Sequence, residues 1–147
     1  MPSTSADISV IVCAYTMDRW DELNTAIAAL KGQNVSPFEI IVVIDHNPDL
    51  YERVQESIED VIVVENTGIR GLSGARNSGI GAAHASIIAF VDEDAVTDAD
   101  WIARLNASYT DPAILGVGGA IDPQWVSQRP TWFPDEFAWV VGCTYLG

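Results

Sequence analysis

The sequence predicts an α/β domain: a mostly parallel sheet with helices on both faces. Three observations carry this. Short β-branched apolar runs recur along the chain, as in Ile8–Ala14 and Glu39–Ile44, and read as strands buried on both faces. Stretches with helical spacing alternate with them, which is the pattern of βαβ units. The polar residues collect at the carboxyl ends of the runs, at Tyr15, Asp45 and Asp92-Glu93-Asp94. Ligands of open parallel sheets bind there.

Taken in order, Ile8–Ala14 is the first strand. From Asp18 to Lys31 the apolar positions Trp20, Leu23, Ile27 and Leu30 recur at helical spacing, and Gly32 follows as a stop. Glu39–Ile44 is a second strand, closed by the turn signal Asp45-His46-Asn47-Pro48. Asp49–Ser57 reads as a short helix and Val61–Val64 as a third strand. Gly74–Ala85, rich in small residues, reads as a helix. Ile87–Val91 is a fourth strand, and Asp98–Tyr109 is amphipathic around Trp101, Ile102 and Leu105. Ile114–Ile121, with three glycines, is expected to form a weaker strand. Beyond Pro123 the character changes: Trp125, Trp132, Phe133, Phe137, Trp139 and Tyr145 crowd the remaining residues. Two regions are therefore expected, 1–122 and 123–147. The apolar ending at Tyr145-Leu146-Gly147 predicts an incomplete second region that self-associates.

Composition narrows the partners. Seven Lys and Arg face 21 Asp and Glu, for a net charge of −14. The phosphate-neutralising charge of a nucleic-acid binder is missing. At 48% hydrophobic residues there is apolar material for a core, so the charge does not signal disorder. No run approaches the roughly 18 apolar residues of a membrane span. Met1–Asp7 lacks the basic and apolar parts of a signal peptide, and a cytoplasmic location is expected. Cys13 and Cys143 form no metal pair and no disulfide framework. The single lysine, Lys31, among so many acids fits either a high-salt adaptation or an ordinary acidic protein. The former predicts a melting temperature that rises from dilute buffer to molar KCl as self-repulsion is screened; a flat or falling curve excludes it.

The candidate chemistry lies in four places, each with a plainer alternative. Asp92-Glu93-Asp94 puts three carboxylates in a row at a strand end, which calls for a cation or hydrogen-bond donors. Oxygen ligation suits Mg²⁺ or Mn²⁺. The alternative is a solvated turn in which Asp94 or Asp98 caps the next helix. The segment 66–79 is glycine-rich and leads into a helix, and its N–H groups with Arg70 and Arg76 could meet a diphosphate. Equally, its glycines could let that helix pack closely on the sheet. It matches neither dinucleotide nor P-loop spacing. Asp45 could bond a ribose or base, or only its own turn. His46 and His84 match no metal spacing. The terminal aromatics read as core or as a sugar or lipid platform.

Together these residues resemble the family 2 glycosyltransferases, which have the GT-A fold. The resemblance rests on Ile-Ser-Val-Ile-Val-Cys-Ala-Tyr-Thr (8–16), Glu-Ile-Ile-Val-Val-Ile-Asp (39–45), Gly-Leu-Ser-Gly-Ala-Arg-Asn-Ser-Gly-Ile (71–80) and Ile-Ala-Phe-Val-Asp-Glu-Asp-Ala (88–95) before Trp101. It implies an inverting transfer from a nucleotide sugar, usually a UDP-sugar, with Mn²⁺ or Mg²⁺. By that similarity Tyr15 and Asp45 contact the nucleoside, and Arg70 or Arg76 lies near the diphosphate or shapes its loop. Asp92 and Glu93 face the nucleoside, and Asp94 binds the metal. Region 1–122 is then the nucleotide-sugar half and 123–147 the start of an acceptor side.

The sequence also departs from the family pattern. His46 stands where many relatives have a second acid. The catalytic base has no match, although Asp135-Glu136 is a tempting pair. The segment 132–147 is similar to the branch acting on dolichyl-phosphate-linked sugars, including glucuronosyltransferases, which implies a saccharide or lipid-linked acceptor at the cytoplasmic face of a membrane. Without a base the chain is expected to bind donor but transfer little sugar. A nucleotidyltransferase and a non-catalytic nucleotide-binding or assembly module are the other readings.

Overall fold

Four of the apolar runs pair side by side, all parallel, in the order β3-β2-β1-β4. They are β1 (Ile8–Ala14), β2 (Glu39–Asp45), β3 (Ile62–Asn66) and β4 (Ile87–Asp92). The computed structural model describes residues 5–145. Residues 1–4 and the ending Leu146-Gly147, on which the sequence also invited a reading, lie outside them. The chain divides into two units, residues 1–110 and 111–147, upstream of the change in composition at Pro123.

Strand order dictates which face each helix covers. From β1 the chain steps to β2 and β3 in one direction, through α1 (Trp20–Lys31) and α2 (Pro48–Ser57). It then returns across β1 to β4 through α3 (Leu72–Ala82). Crossovers in parallel sheets are right-handed, so reversing direction puts α3 on the opposite face. The buried side chains obey this. Val10, Val12, Ala14, Val42 and Ile44 pack with Leu23, Ile27, Leu30, Leu50 and Val54 of α1 and α2, and with Ile102 of α4 (Trp101–Ser108). The alternate residues Ile11, Ile41 and Val43 pack with Ala75 of α3. The period-2 alternation thus feeds two cores, one on each face of the sheet.

Close packing of α3 needs its glycines. A Cβ on Gly79 would stand 2.7 Å from Ile11 Cγ2 and 3.0 Å from Val43 Cγ2. A Cβ on Gly74 would stand 1.7 Å from the carbonyl oxygen of Ile69. The plainer reading of the small residues therefore holds at these two positions. Neither Asp94 nor Asp98 caps α4 by its side chain. The buried Gln33, just past α1, does so instead: its Oε1 accepts from Ile102 N–H at 3.0 Å while its Nε2 donates to Asp98 O at 2.7 Å. An orphan helix N–H finds its partner far along the chain.

A second polar network lies at the amino ends of β1 and β2. Glu39 accepts from Ser9 Oγ at 2.6 Å and from the N–H of His84 at 2.7 Å, and its Oε2 lies 3.0 Å from His84 Nδ1. Burial raises the Glu39 pKa, but these bonds outweigh it and hold the carboxyl below its usual value. A depressed carboxyl stabilises the fold above its unfolded pKa, and this stabilisation is lost as pH falls through the folded one. Glu39→Gln should therefore flatten the fall of melting temperature below about pH 4.5. An unchanged acid slope overturns this.

The expected strand at 114–121 does not form. Its three glycines disfavour extended structure, and Leu115 is almost wholly exposed, so nothing offsets the ordering cost. Within this second unit Trp125 and Phe133 meet edge to face with centroids 5.4 Å apart, and residues Asp135–Val141 wind into a 3-10 helix. Trp132 and Trp139 stay exposed.

Candidate functional site

The topology reverses between β1 and β4, and a cavity of about 460 Å³ opens at the carboxyl ends of the strands there. Open α/β sheets hold ligands at such a switch point, because the loops of the two neighbouring strands diverge to opposite faces. Tyr15, Asp45, Arg70, Asp92, Glu93 and Asp94 all line it, together with Cys13, Arg19, Gly71 and Leu72. Arg76 does not. It lies on the α3 face, with its guanidinium 5.1 Å from the Phe90 ring and 3.4 Å from Asp92.

Asp45 ends β2 with its side chain on the α3 face. Its Oδ1 accepts from Asn66 Nδ2 at 2.7 Å and lies 2.8 Å from His46 Nδ1. Its Oδ2 accepts from the N–H of Gly71 at 2.8 Å. Burial pushes the carboxyl up, but these hydrogen bonds prevail and keep its pKa below the usual value. A carboxylate offers about four acceptor positions, so one on Oδ2 stays open to a ligand donor. Among the described residues Asp45 bonds no backbone of its own turn; it holds the glycine-rich loop through Asn66 and Gly71 and keeps acceptor capacity toward the cavity. His46 adopts φ +54°, the left-handed region, and so turns its ring back onto Asp45.

Asn66, at the end of β3, was not singled out by the sequence. Fully buried, it donates to Asp45 and to Ile69 O, and accepts from Gly68 N–H at 3.1 Å and Ser78 Oγ at 2.9 Å. It folds the glycine-rich loop against α3, and Gly71 at φ +118° completes the bend. Its only local signal is Asn66-Thr67-Gly68 two residues past an apolar run, a turn signature.

Arg19 was also missed. It closes a single 3-10 turn, Met17–Arg19, begun by Thr16, whose Oγ1 accepts from Asp18 N–H. Its Nη1 stands 3.2 Å from Glu93 Oε1 and 3.3 Å from Asp94 Oδ2. No spacing rule reveals a contact between residues so far apart in sequence. Glu93 is buried, and burial raises its pKa against the pull of Arg19. Burial likewise pushes the Cys13 thiol up to about 11, so it stays protonated at neutral pH. Arg70 is exposed and forms no ion pair among the described residues.

The acidic rim fits a shared divalent ion. Among the described residues no three His, Cys, Asp or Glu side chains converge into a cage. Mg²⁺ and Mn²⁺ do not need one, since they take one or two carboxylates plus substrate phosphates. Asp94 is half exposed at the cavity, with only its Oδ2 engaged among the described residues.

A parallel sheet with a loop-built, charged cavity at its switch point defines an open α/β domain, and its fold is that of GT-A glycosyltransferases. The chain belongs to glycosyl transferase family 2, whose family model matches residues 9–142. It is 35% identical over 144 residues to a glucosyl-dolichyl phosphate glucuronosyltransferase of Haloferax volcanii, covering 95% of this chain and 46% of that protein. The chain thus spans less than half the length of that relative. It superposes on a mannosyltransferase of Pyrobaculum calidifontis, in complex with GDP-Man and Mn²⁺, with a TM-score of 0.60 and 25% identity. That match covers 77% of this chain and 35% of the other. A nucleotidyl transferase of Methanothermobacter, 21% identical with a TM-score of 0.53, shares the fold alone.

Proposed function

We propose that this chain is the donor-binding half of an inverting glycosyltransferase that moves a sugar from a UDP-sugar to a saccharide or lipid-linked acceptor. The observation that carries the reading is the charge of the cavity. Among the described residues that line it, Asp45, Asp92, Glu93 and Asp94 outnumber the two cations Arg19 and Arg70, and Arg76 reaches Asp92 from outside the lining. An anionic diphosphate entering such a cavity is repelled unless a further cation comes with it. Asp94 is the carboxylate placed to hold Mn²⁺ or Mg²⁺. When bound, the ion supplies Lewis-acid neutralisation of charge on the leaving diphosphate. Tyr15 and the open acceptor of Asp45 serve the nucleoside, with Asp92 and Glu93 on that side, and Arg70 serves the diphosphate. Asn66 holds Asp45 and the loop that carries Arg70 in place before the donor arrives, which limits the ordering cost of binding. The acceptor hydroxyl attacks the anomeric carbon and loses its proton to a base. Likeness to the Haloferax relative supports a lipid-linked saccharide as acceptor.

A thermal-shift screen of nucleotide sugars tests this. UDP-sugars should raise the melting temperature with Mn²⁺ present and fail to do so with a chelator. Stabilisation indifferent to metal overturns the reading. Release of pyrophosphate from a nucleoside triphosphate would point to a nucleotidyltransferase instead.

A further inference from the structure

The contact between Arg19 and the acidic rim has a geometry that a merely structural ion pair would not select. The guanidinium divides one nitrogen, Nη1, between Glu93 Oε1 and Asp94 Oδ2. Glu93 Oε2 is buried with no hydrogen-bond partner among the described residues. A guanidinium and a carboxylate pair best fork to fork, through two parallel bonds that would satisfy both oxygens. Here that pairing is half made, and a buried acceptor goes without a donor, which is costly. Arg19 is thus held between two acids, at its best geometry with neither.

We propose that Arg19 stands in for the metal at Asp94 while the site is empty, and withdraws onto Glu93 when a divalent ion arrives. This rests on the assignment of Asp94 as the metal ligand. A guanidinium 3.3 Å from Asp94 Oδ2 and a metal ion on the same carboxylate repel each other strongly, so the two compete. Displacement from Asp94 frees the fork to close on both oxygens of Glu93, which removes the unpaired acceptor. Glu93 is then a positioning residue that keeps the arginine at the cavity wall. Neutralisation by Arg19 spares the acidic rim its self-repulsion before the donor binds. It also disfavours capture of a metal ion alone, so the ion enters most readily with its diphosphate.

Binding of Mn²⁺ alone, followed by electron paramagnetic resonance, tests the exchange. Arg19→Gln should bind Mn²⁺ about tenfold more tightly than the parent protein, because the competing charge is gone. Arg19→Lys, which keeps the charge, should stay near the parent and guards against a folding defect in the first variant. Arg76→Gln removes a cation from the neighbouring Asp92 without touching Asp94, and should tighten Mn²⁺ far less. Unaltered Mn²⁺ affinity in Arg19→Gln, or an equal gain in Arg76→Gln, overturns the exchange. Asp94→Asn separates the two claims. If it binds Mn²⁺ like the parent, the metal assignment itself fails. If it loses Mn²⁺ while Arg19→Gln gains nothing, the assignment stands and the exchange alone falls.

Discussion

Asp94→Asn is expected to weaken UDP binding in the presence of Mn²⁺ by about 100-fold or more, since even groups behind a metal ligand change affinity by about 10–100-fold. The substitution keeps the size of the side chain and removes the charge that a hard divalent ion requires. Asp94 lies half exposed in the turn after β4, so the fold should not suffer. The melting temperature without ligand should stay close to that of the parent. Titration calorimetry with UDP, with and without Mn²⁺, reads the effect. A variant that binds as the parent does removes Asp94 from the site. The loss should vanish when both proteins are titrated without metal, because the remaining contacts are the same.

Gly74→Ala carries the largest expected cost in stability, about 3 kcal/mol or more, because the new methyl group collides with backbone and not with a mobile side chain. Its Cβ would lie 1.7 Å from Ile69 O and 3.1 Å from Asn66 Nδ2. The loop can yield only by breaking the bonds that Asn66 makes to Asp45 and Ile69. Nucleotide affinity should therefore fall together with stability. Gly81→Ala in the same helix meets nothing within 4 Å. There the alanine should be neutral or stabilise by up to about 1 kcal/mol, through its better helix propensity. Chemical denaturation of the two variants side by side checks the contrast. Equal stabilities would show that the close approach at residue 74 is not required.

Much of the fold was legible because it is encoded locally. The strands β1, β2 and β4 and the helices α1 and α2 appear within a residue or two of the ranges read from the sequence. Each strand is marked by an unbroken apolar run and α1 by helical spacing, signals held within a single element that survive any tertiary arrangement. The helix read at 74–85 begins two residues earlier, at Leu72, since Gly71 makes the bend that starts it. Ile114–Ile121 failed for the converse reason: a strand exists only by pairing, and apolar content cannot show whether an edge is available.

The candidate site divides along the same line. Strand ends are positions in sequence, so Tyr15, Asp45 and the acids at 92–94 could be placed at one rim once the sheet was known to be parallel. The sequence by itself determined the fold class, the family, and where β1, β2 and β4 end to within a residue. Only the tertiary structure decided that Asn66 staples the glycine-rich loop, that Gln33 caps α4, and that Arg19 rather than Arg76 reaches Glu93 and Asp94. These are contacts between elements far apart in the chain. Their partners are selected by strand order and crossover direction, and those emerge only when the elements pack.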